Sequence, residues 1–275
     1  MKIFCCYHKS APIAASPLLF PIHVGKAVAF APLPFPGDDT GDSISSKNPF
    51  FCELTALYWI WKNVHEDIVG LCHYRRYLNL KNDHKRVYDL KDDFAKRFGL
   101  TEENIRQILT SYDMILPMPR SEKVPIPLYD HYATHHVKRD LDLVLDLIRE
   151  QSEDEYQIAS RVLHTTTEAY WLNIFITRKS IVDAYATWLF NLLFKLEAKI
   201  QADVETRDPF QRRVYGFLSE RLFNVWLALH PEIRIKEVPS LFVETDNKAW
   251  RKYLSRYWRR KIFLWLGLRK KGYNG

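Results

Sequence analysis

The segment Asp67-Ile68-Val69-Gly70-Leu71-Cys72-His73-Tyr74-Arg75-Arg76-Tyr77 constrains the fold more than any other. A run of about five apolar residues, β-branched at its start, reads as a buried strand. It gives way at once to a His, two Tyr and two Arg. In open α/β sheets the C-terminal edge of a strand is where ligands bind. Paired guanidiniums suit a doubly charged phosphate ester, because each offers a fork of N–H donors that matches phosphate oxygens. A surface ion-pair cluster after a strand is the alternative, and the local sequence does not separate the two.

The rest of the chain repeats this alternation. Residues 1–9 read as a first strand, with His8 at its end. Residues 10–49 are a long connection, usually a functional feature in a compact domain. A helix is expected from Pro49 to Asn63, with Leu54, Leu57, Tyr58 and Trp61 as its apolar stripe. Thr101 opens a helix over 101–111, and residues 112–117 read as a strand. A Pro-rich loop over 117–128 leads to Tyr129–His136 and to a helix carrying Leu141, Val144, Leu145 and Ile148. Residues 171–177 form another apolar strand, 180–200 and 209–229 two apolar helices, and Ile233–Val243 a final strand pair. The class is α/β: a Rossmann-like mixed, mostly parallel sheet flanked by helices. Residues 1–245 form the domain, and 246–275 a separate tail.

The tail is the unusual part. Residues 250–275 hold nine basic residues and no acid, so the formal charge of +7 becomes slightly negative without them. A basic patch confined to one end argues against nucleic acid as partner. Trp250, Leu254, Tyr257, Trp258, Ile262 and Trp265 fall on one helical face, and Lys252, Arg256, Arg259 and Arg260 on the other. Arg251 interrupts the apolar side. An amphipathic, basic, aromatic helix is the composition of an interfacial membrane segment, although a helix docked on the core would look similar. No run of about 18 apolar residues suggests a transmembrane span. Cys5, Cys6, Cys52 and Cys72 lack metal or disulfide spacing and read as reduced core thiols of a cytoplasmic protein.

Five segments, taken together, resemble one bacterial family, domain of unknown function 4422, of capsular and O-antigen glycosyltransferases. They are Pro21–Lys26; Gly37-Asp38-Asp39-Thr40-Gly41-Asp42 with Ser45, Lys47 and Asn48; Phe51–Trp59; Gly70–Tyr77; and Gly216–Leu222. The resemblance implies a GT-A-like fold and transfer of a sugar from a nucleotide-sugar donor, UDP-linked, with galactofuranose as a candidate sugar. It implies a lipid-linked glycan acceptor, made accessible by attachment to the inner face of the cell membrane.

Such a reaction develops negative charge on the departing diphosphate, so cations belong against it. Many GT-A enzymes use an Asp-x-Asp pair with Mn²⁺ or Mg²⁺. This chain has His73-Tyr74-Arg75-Arg76 at the corresponding strand end, so Arg75 and Arg76 are expected to replace a metal, with His73 as one metal ligand in the competing view. No cofactor is expected, with a divalent metal, Mn²⁺ or Mg²⁺, left open as the alternative. His8 is placed on the base side of the nucleotide. Asp38, Asp39, Lys47 and Asn48 are expected to contact the donor, with Asp42 as the most attractive residue of that loop for catalysis; Asp and Gly are also simple turn formers. Glu220 comes late in the chain, where an inverting transfer needs a carboxylate base; an ion pair with Arg212, Arg213 or Arg221 is the rival reading. Arg212 and Arg213 could also reach phosphate. His131, His135 and His136 lack the partners of a zinc site and are assigned to acceptor contacts. A non-catalytic module binding acidic glycans or phospholipids would use the same arginines. No Walker loop, Gly-x-Ser-x-Gly or paired-metal carboxylate set supports phosphoryl transfer or hydrolysis.

Overall fold

β-strand Lys2–Tyr7 (β1) alternates its side chains between two faces. Ile3, Cys5 and Tyr7 enter one apolar cluster, and Phe4 and Cys6 enter another. That split defines three layers, with a sheet between two helical sides. In the computed structural model, residues 1–81, 86, 87, 90, 93–244, 246, 248–252, 254, 255, 258 and 262 are described.

The other strands are Leu19–His23 (β2), Ile68–His73 (β3), Arg76–Leu78 (β4), Arg86–Val87 (β5), Met114–Pro117 (β6), Phe175–Arg178 (β7), Ile235–Val238 (β8) and Ser240–Val243 (β9). The longest ladders are parallel and flank β1. Tyr7 pairs with His23 of β2, and Cys6 with His73 of β3. Three consecutive parallel strands therefore end together at one edge. On the other side β3 runs antiparallel to β7, and β7 to β6. At Gly70 in β3 an added Cβ would lie 2.9 Å from Ile176 and 3.0 Å from the Phe175 carbonyl, so only glycine lets these strands meet.

The helices are Asn48–Phe51 (α1), Leu54–Asn63 (α2), Phe94–Arg97 (α3), Glu102–Ser111 (α4), Leu128–His135 (α5), Lys138–Gln151 (α6), Glu153–Thr165 (α7), Lys179–Val204 (α8) and Val214–Leu229 (α9). The large core layer joins α2 and α6 to α9 with Phe4, Val69, Leu71, Met114 and Leu116 of the sheet. The smaller layer packs α3 and α4 against Ile68, Cys72 and Ile115. Thr101 caps α4 as its sequence position predicts, accepting from the Asn104 amide.

Four local expectations are revised. The helix expected over 49–63 is broken at Cys52, whose φ of 52° and ψ of −132° leave α1 and α2 as separate pieces. The long connection 10–49 contains β2, hidden because Pro21 interrupts its apolar pattern. The apolar run at 171–177 starts its strand only at Phe175, since Leu172 and Asn173 adopt positive φ. Strands β8 and β9 do not pair with each other: β8 joins β6, and β9 joins β4 and β5. Pro239 alone connects them, so the sheet must curl enough to bring those two strands within a two-residue reach of about 7 Å. Helix α7 was not anticipated.

Of the tail, the described residues 248–252, 254, 255, 258 and 262 are helical. Trp250 is half-buried, Arg251 is exposed, and Trp258 is more than half exposed. Tyr257, Arg259, Arg260 and Trp265 lie outside the described residues. Among the described residues no helix is long and apolar enough to cross a membrane.

Candidate active site

The edge where β1, β2 and β3 end opens into a cleft of about 700 Å³. This is the size of a small-molecule site. His8 and His73 come from the ends of β1 and β3, Tyr74 and Arg75 from the following turn, and Arg76 from the start of β4. Asn48, Cys52 and Glu53 come from the broken α1–α2 junction. Arg212, Arg213 and Glu220 come from α9 and the turn before it. The break at Cys52 serves this site, because a continuous helix would carry residues 52 and 53 onward along its own axis. Gly216 permits the approach: a Cβ there would sit 3.1 Å from the Cys52 sulfur.

The cleft is rich in cations, and they are not equivalent. Arg75 is held by Glu244 at 3.2 Å, by the Val243 carbonyl, and over the Phe242 ring. Arg76 also stacks on Phe242. Arg212 donates to the Glu205 carbonyl at 2.7 Å, and its buried Nε has no hydrogen-bond partner among the described residues. Arg213 donates to the Cys52 sulfur at 3.2 Å. Neither Arg212 nor Arg213 is paired with a carboxylate among the described residues. A buried guanidinium N–H without a partner carries a desolvation cost. Desolvation and the nearby Lys9, His73 and Arg213 push the His8 pKa down, which disfavours a charged imidazole there.

A second pocket of about 420 Å³ adjoins the first. His131, His135 and His136 line it with Trp171, Phe210 and Phe217, and with Arg120, Glu122 and Arg221. His136 stacks on Phe217 at 4.1 Å between ring centroids. Burial and the Arg221 charge push its pKa down to about 4. Arg221 is buried and donates to His131 Nδ1 at 2.8 Å, to the Phe217 carbonyl, and to Glu220 at 3.3 Å. Because guanidinium can only donate, Nδ1 of His131 is the acceptor. Its proton therefore sits on Nε2, 3.6 Å from Glu122.

Glu220 and Leu172 line both pockets. The Leu172 amide donates to Glu220 Oε1 at 3.0 Å, and the Leu172 carbonyl accepts from His73 Nε2 at 2.6 Å. Asn173 donates to Glu53 at 2.8 Å and to Ser219 at 2.9 Å. A two-residue turn with φ of 82° and 48° thus ties β3, α2 and α9 together at one point. Such backbone persists only where surrounding structure holds it. Burial raises the Glu220 pKa, and the Glu53 carboxylate adds to this, while Arg221, the Leu172 amide and Arg213 oppose it.

Of the residues singled out in the sequence, His8, Asn48, His73, Tyr74, Arg75, Arg76, Arg212, Arg213 and Glu220 meet in the first cleft. The three histidines meet in the second. Asp38, Asp39, Asp42 and Lys47 line neither. Asp38 is buried and binds the Gly25 and Lys26 amides and the Ser45 hydroxyl. Asp39 pairs with Lys26 at 3.4 Å, and Lys47 with Glu197 at 2.6 Å. Asp42 accepts from Tyr58 at 2.9 Å and exchanges backbone hydrogen bonds with the Asn63 side chain. Glu53, Cys52 and Leu172 were not foreseen as site residues. Glu53 stands inside one of the matching segments; nothing in the sequence marks Leu172.

Among the described residues, no three His, Cys, Asp or Glu side chains converge as a metal site. In the cleft Glu53 and Glu220 each accept from a fixed N–H, and the His73 Nε2 proton goes to a carbonyl. Two carboxylates, each already accepting an N–H, are what the described residues of the cleft offer a divalent ion.

A family model described as Domain of unknown function (DUF4422) matches residues 2–231. The chain belongs to this family. No curated protein matches it. Among solved structures, the apo structure of WbbM, a bifunctional glycosyltransferase, is similar with a TM-score of 0.80 and 33% identity. The match covers 88% of this chain and 45% of WbbM, so the chain spans less than half of that protein. The GT-A-like, mixed α/β architecture expected from the sequence is the one observed, and it is shared with a glycosyltransferase structure.

Proposed function

We propose that this chain is a glycosyltransferase that moves a sugar from a nucleotide-sugar donor to a glycan acceptor. The observation that carries the reading is Glu220, a carboxylate in the wall common to a cationic cleft and an aromatic, histidine-lined pocket. The cationic cleft takes the nucleoside diphosphate, with Arg212 and Arg213 against the phosphates and Arg75 and Arg76 behind them. His8 follows β1 and Tyr74 follows β3, with their rings 5.3 Å apart, and the pair suits the nucleoside side. The second pocket takes the acceptor, whose sugar faces can stack on Trp171, Phe217 and His136.

In the reaction the acceptor hydroxyl oxygen attacks the anomeric carbon. Its proton passes to Glu220, and the bond from that carbon to the diphosphate breaks with its electron pair leaving on the diphosphate. The arginines stabilise that charge as it forms. The raised pKa of Glu220 makes it a better proton acceptor than an exposed carboxylate. Kinship with WbbM and the similarity of fold support transfer chemistry. The family resemblance favours a UDP-linked donor, with galactofuranose as candidate sugar, and a lipid-linked acceptor in capsule or O-antigen assembly. The basic, aromatic tail 246–275 favours attachment to the inner face of an anionic membrane.

Glu220→Gln tests the assignment. Glutamine keeps an acceptor for the Leu172 amide but cannot take the acceptor proton. Donor binding, measured by calorimetry with UDP-sugars, is retained, and turnover falls about 10²- to 10⁴-fold. Near-normal turnover would remove Glu220 from the base role. A non-catalytic module for acidic glycans or phospholipid headgroups would bind through the same arginines and release no nucleoside diphosphate.

A further inference from the structure

Residues 27–36 read Ala-Val-Ala-Phe-Ala-Pro-Leu-Pro-Phe-Pro, ten successive side chains without a polar atom. None of them is buried. Val28 is 52% exposed, and Phe30 is as exposed as an isolated residue. Water-facing surfaces seldom carry so continuous an apolar run without something to cover it.

The loop is held in a defined shape. The Asp38 carboxylate closes its base by accepting from the Gly25 amide at 3.0 Å and the Lys26 amide at 3.3 Å. His23 bridges to Gly37, and the Leu33 amide donates to His23 Nδ1 at 3.3 Å. Phe35 packs edge-on against Tyr7 at 5.2 Å. Leu33 and Phe35 are thus turned toward the domain, and Val28 and Phe30 are left outside. Asp38 and Asp39 have their structural purpose here, as the clasp of this loop.

The chemistry favours lipid over a protein groove. Pro32, Pro34 and Pro36 have no amide hydrogen, which lowers the cost of moving the backbone out of water. The tip has no side chain able to hydrogen-bond a partner. Lys9 flanks the loop at the same sheet edge, Lys26 beside it is paired with Asp39 at 3.4 Å, and residues 250–275 are strongly basic, so the charge complementary to an anionic surface comes from Lys9 and the far end of the chain. The geometry points to residues 27–36 as a membrane-docking tip that places Val28 and Phe30 in the interfacial layer of an anionic bilayer. This contact is separate from the 250–275 tail and stands apart from the transferase reading.

The test is flotation of the full chain with vesicles of phosphatidylcholine mixed with phosphatidylglycerol. Val28→Asp with Phe30→Asp weakens binding at least about tenfold, since each side chain contributes its apolar area. The thermal midpoint stays at the wild-type value, because neither side chain is packed. Val28→Leu with Phe30→Trp binds at least as well as wild type. Wild-type flotation by the double Asp variant overturns the proposal, and so does a wild-type chain that does not float. A concentration-dependent dimer that the double Asp variant dissolves, unaffected by vesicles, overturns it in favour of a contact between copies of the chain.

Discussion

The main chain of Leu172 holds Glu220 in place: its amide donates to the carboxylate at 3.0 Å from a backbone with φ of 82°. The carbonyl of the same residue accepts from His73, so Leu172, through its two flanking peptide units, sets the position of the carboxylate and the imidazole together. Leu172→Gly keeps both bonds and removes the steric objection to positive φ, about 1 kcal/mol. Leu172→Pro removes the amide and cannot reach φ of 82°. Turnover therefore survives in the glycine variant and is lost in the proline variant, as steady-state kinetics on the two would show.

Glu220 also predicts the pH dependence. Its folded pKa lies above the ordinary carboxylate value of 4.5, and a base must be deprotonated to act. On the acid side kcat/KM falls through a pKa above 4.5, and this limb disappears from the residual activity of Glu220→Gln. Because the folded state binds this proton more tightly than the unfolded chain, the ionised carboxyl costs stability at pH 7. Glu220→Gln is therefore at least as stable as wild type in urea denaturation at neutral pH.

His136 works in the opposite sense. Its folded pKa of about 4 lies below the 6.5 of an unfolded histidine, so the folded state binds fewer protons. Its contribution to stability is complete above about pH 6.5 and is lost as pH falls toward 4. His136→Phe, keeping the stack on Phe217, flattens this part of the stability curve. Urea midpoints at pH 7.5 and pH 5 would show the difference between the two proteins.

Asn173 carries a structural load at the same turn. It is buried, and its amide donates to both Glu53 and Ser219. Asn173→Asp has the same shape but removes the donors and sets a carboxylate against Glu53. A loss of about 2–4 kcal/mol is expected at pH 7. Part of it returns in acid, where a carboxyl regains a proton to donate.

The arginines and the acidic loop make a contrasting pair. Arg212→Ala and Arg213→Ala weaken donor binding about tenfold or more, because these guanidiniums have no carboxylate partner to release. Asp42→Asn leaves donor affinity unchanged, since Asp42 meets Tyr58 and Asn63 outside both pockets. Donor titration of these variants separates the two groups. On the reading that the cleft arginines take the place of a metal against the diphosphate, EDTA leaves turnover intact; complete loss that added Mn²⁺ or Mg²⁺ restores overturns it.

The fold was legible where a single rule governs. Strand β3 and its polar end followed from an apolar run meeting a charged cluster, and α4 from a Thr cap followed by two acids. The histidines and Glu220 were identified by chemical type and order in the chain. The acidic loop misled because Asp next to Gly is equally a ligand motif and a turn, and only three-dimensional closure shows Asp38 bound to backbone amides. The breaks at Cys52 and Leu172 were illegible for a different reason. Non-glycine residues with positive φ are imposed by tertiary contacts, and no local preference announces them. Strand β2 was obscured by Pro21, and the separation of β8 from β9 by the absence of any turn signal except Pro239.

Glu220 and Leu172 belong to the lining of both pockets, so the carboxylate of Glu220 stands where the two meet. On the transferase reading, an unfilled smaller chamber leaves that carboxylate free to activate a water molecule. Fidelity then depends on occupancy: a donor held alone is exposed to slow wasteful cleavage, and the arrival of the second sugar is itself the protection.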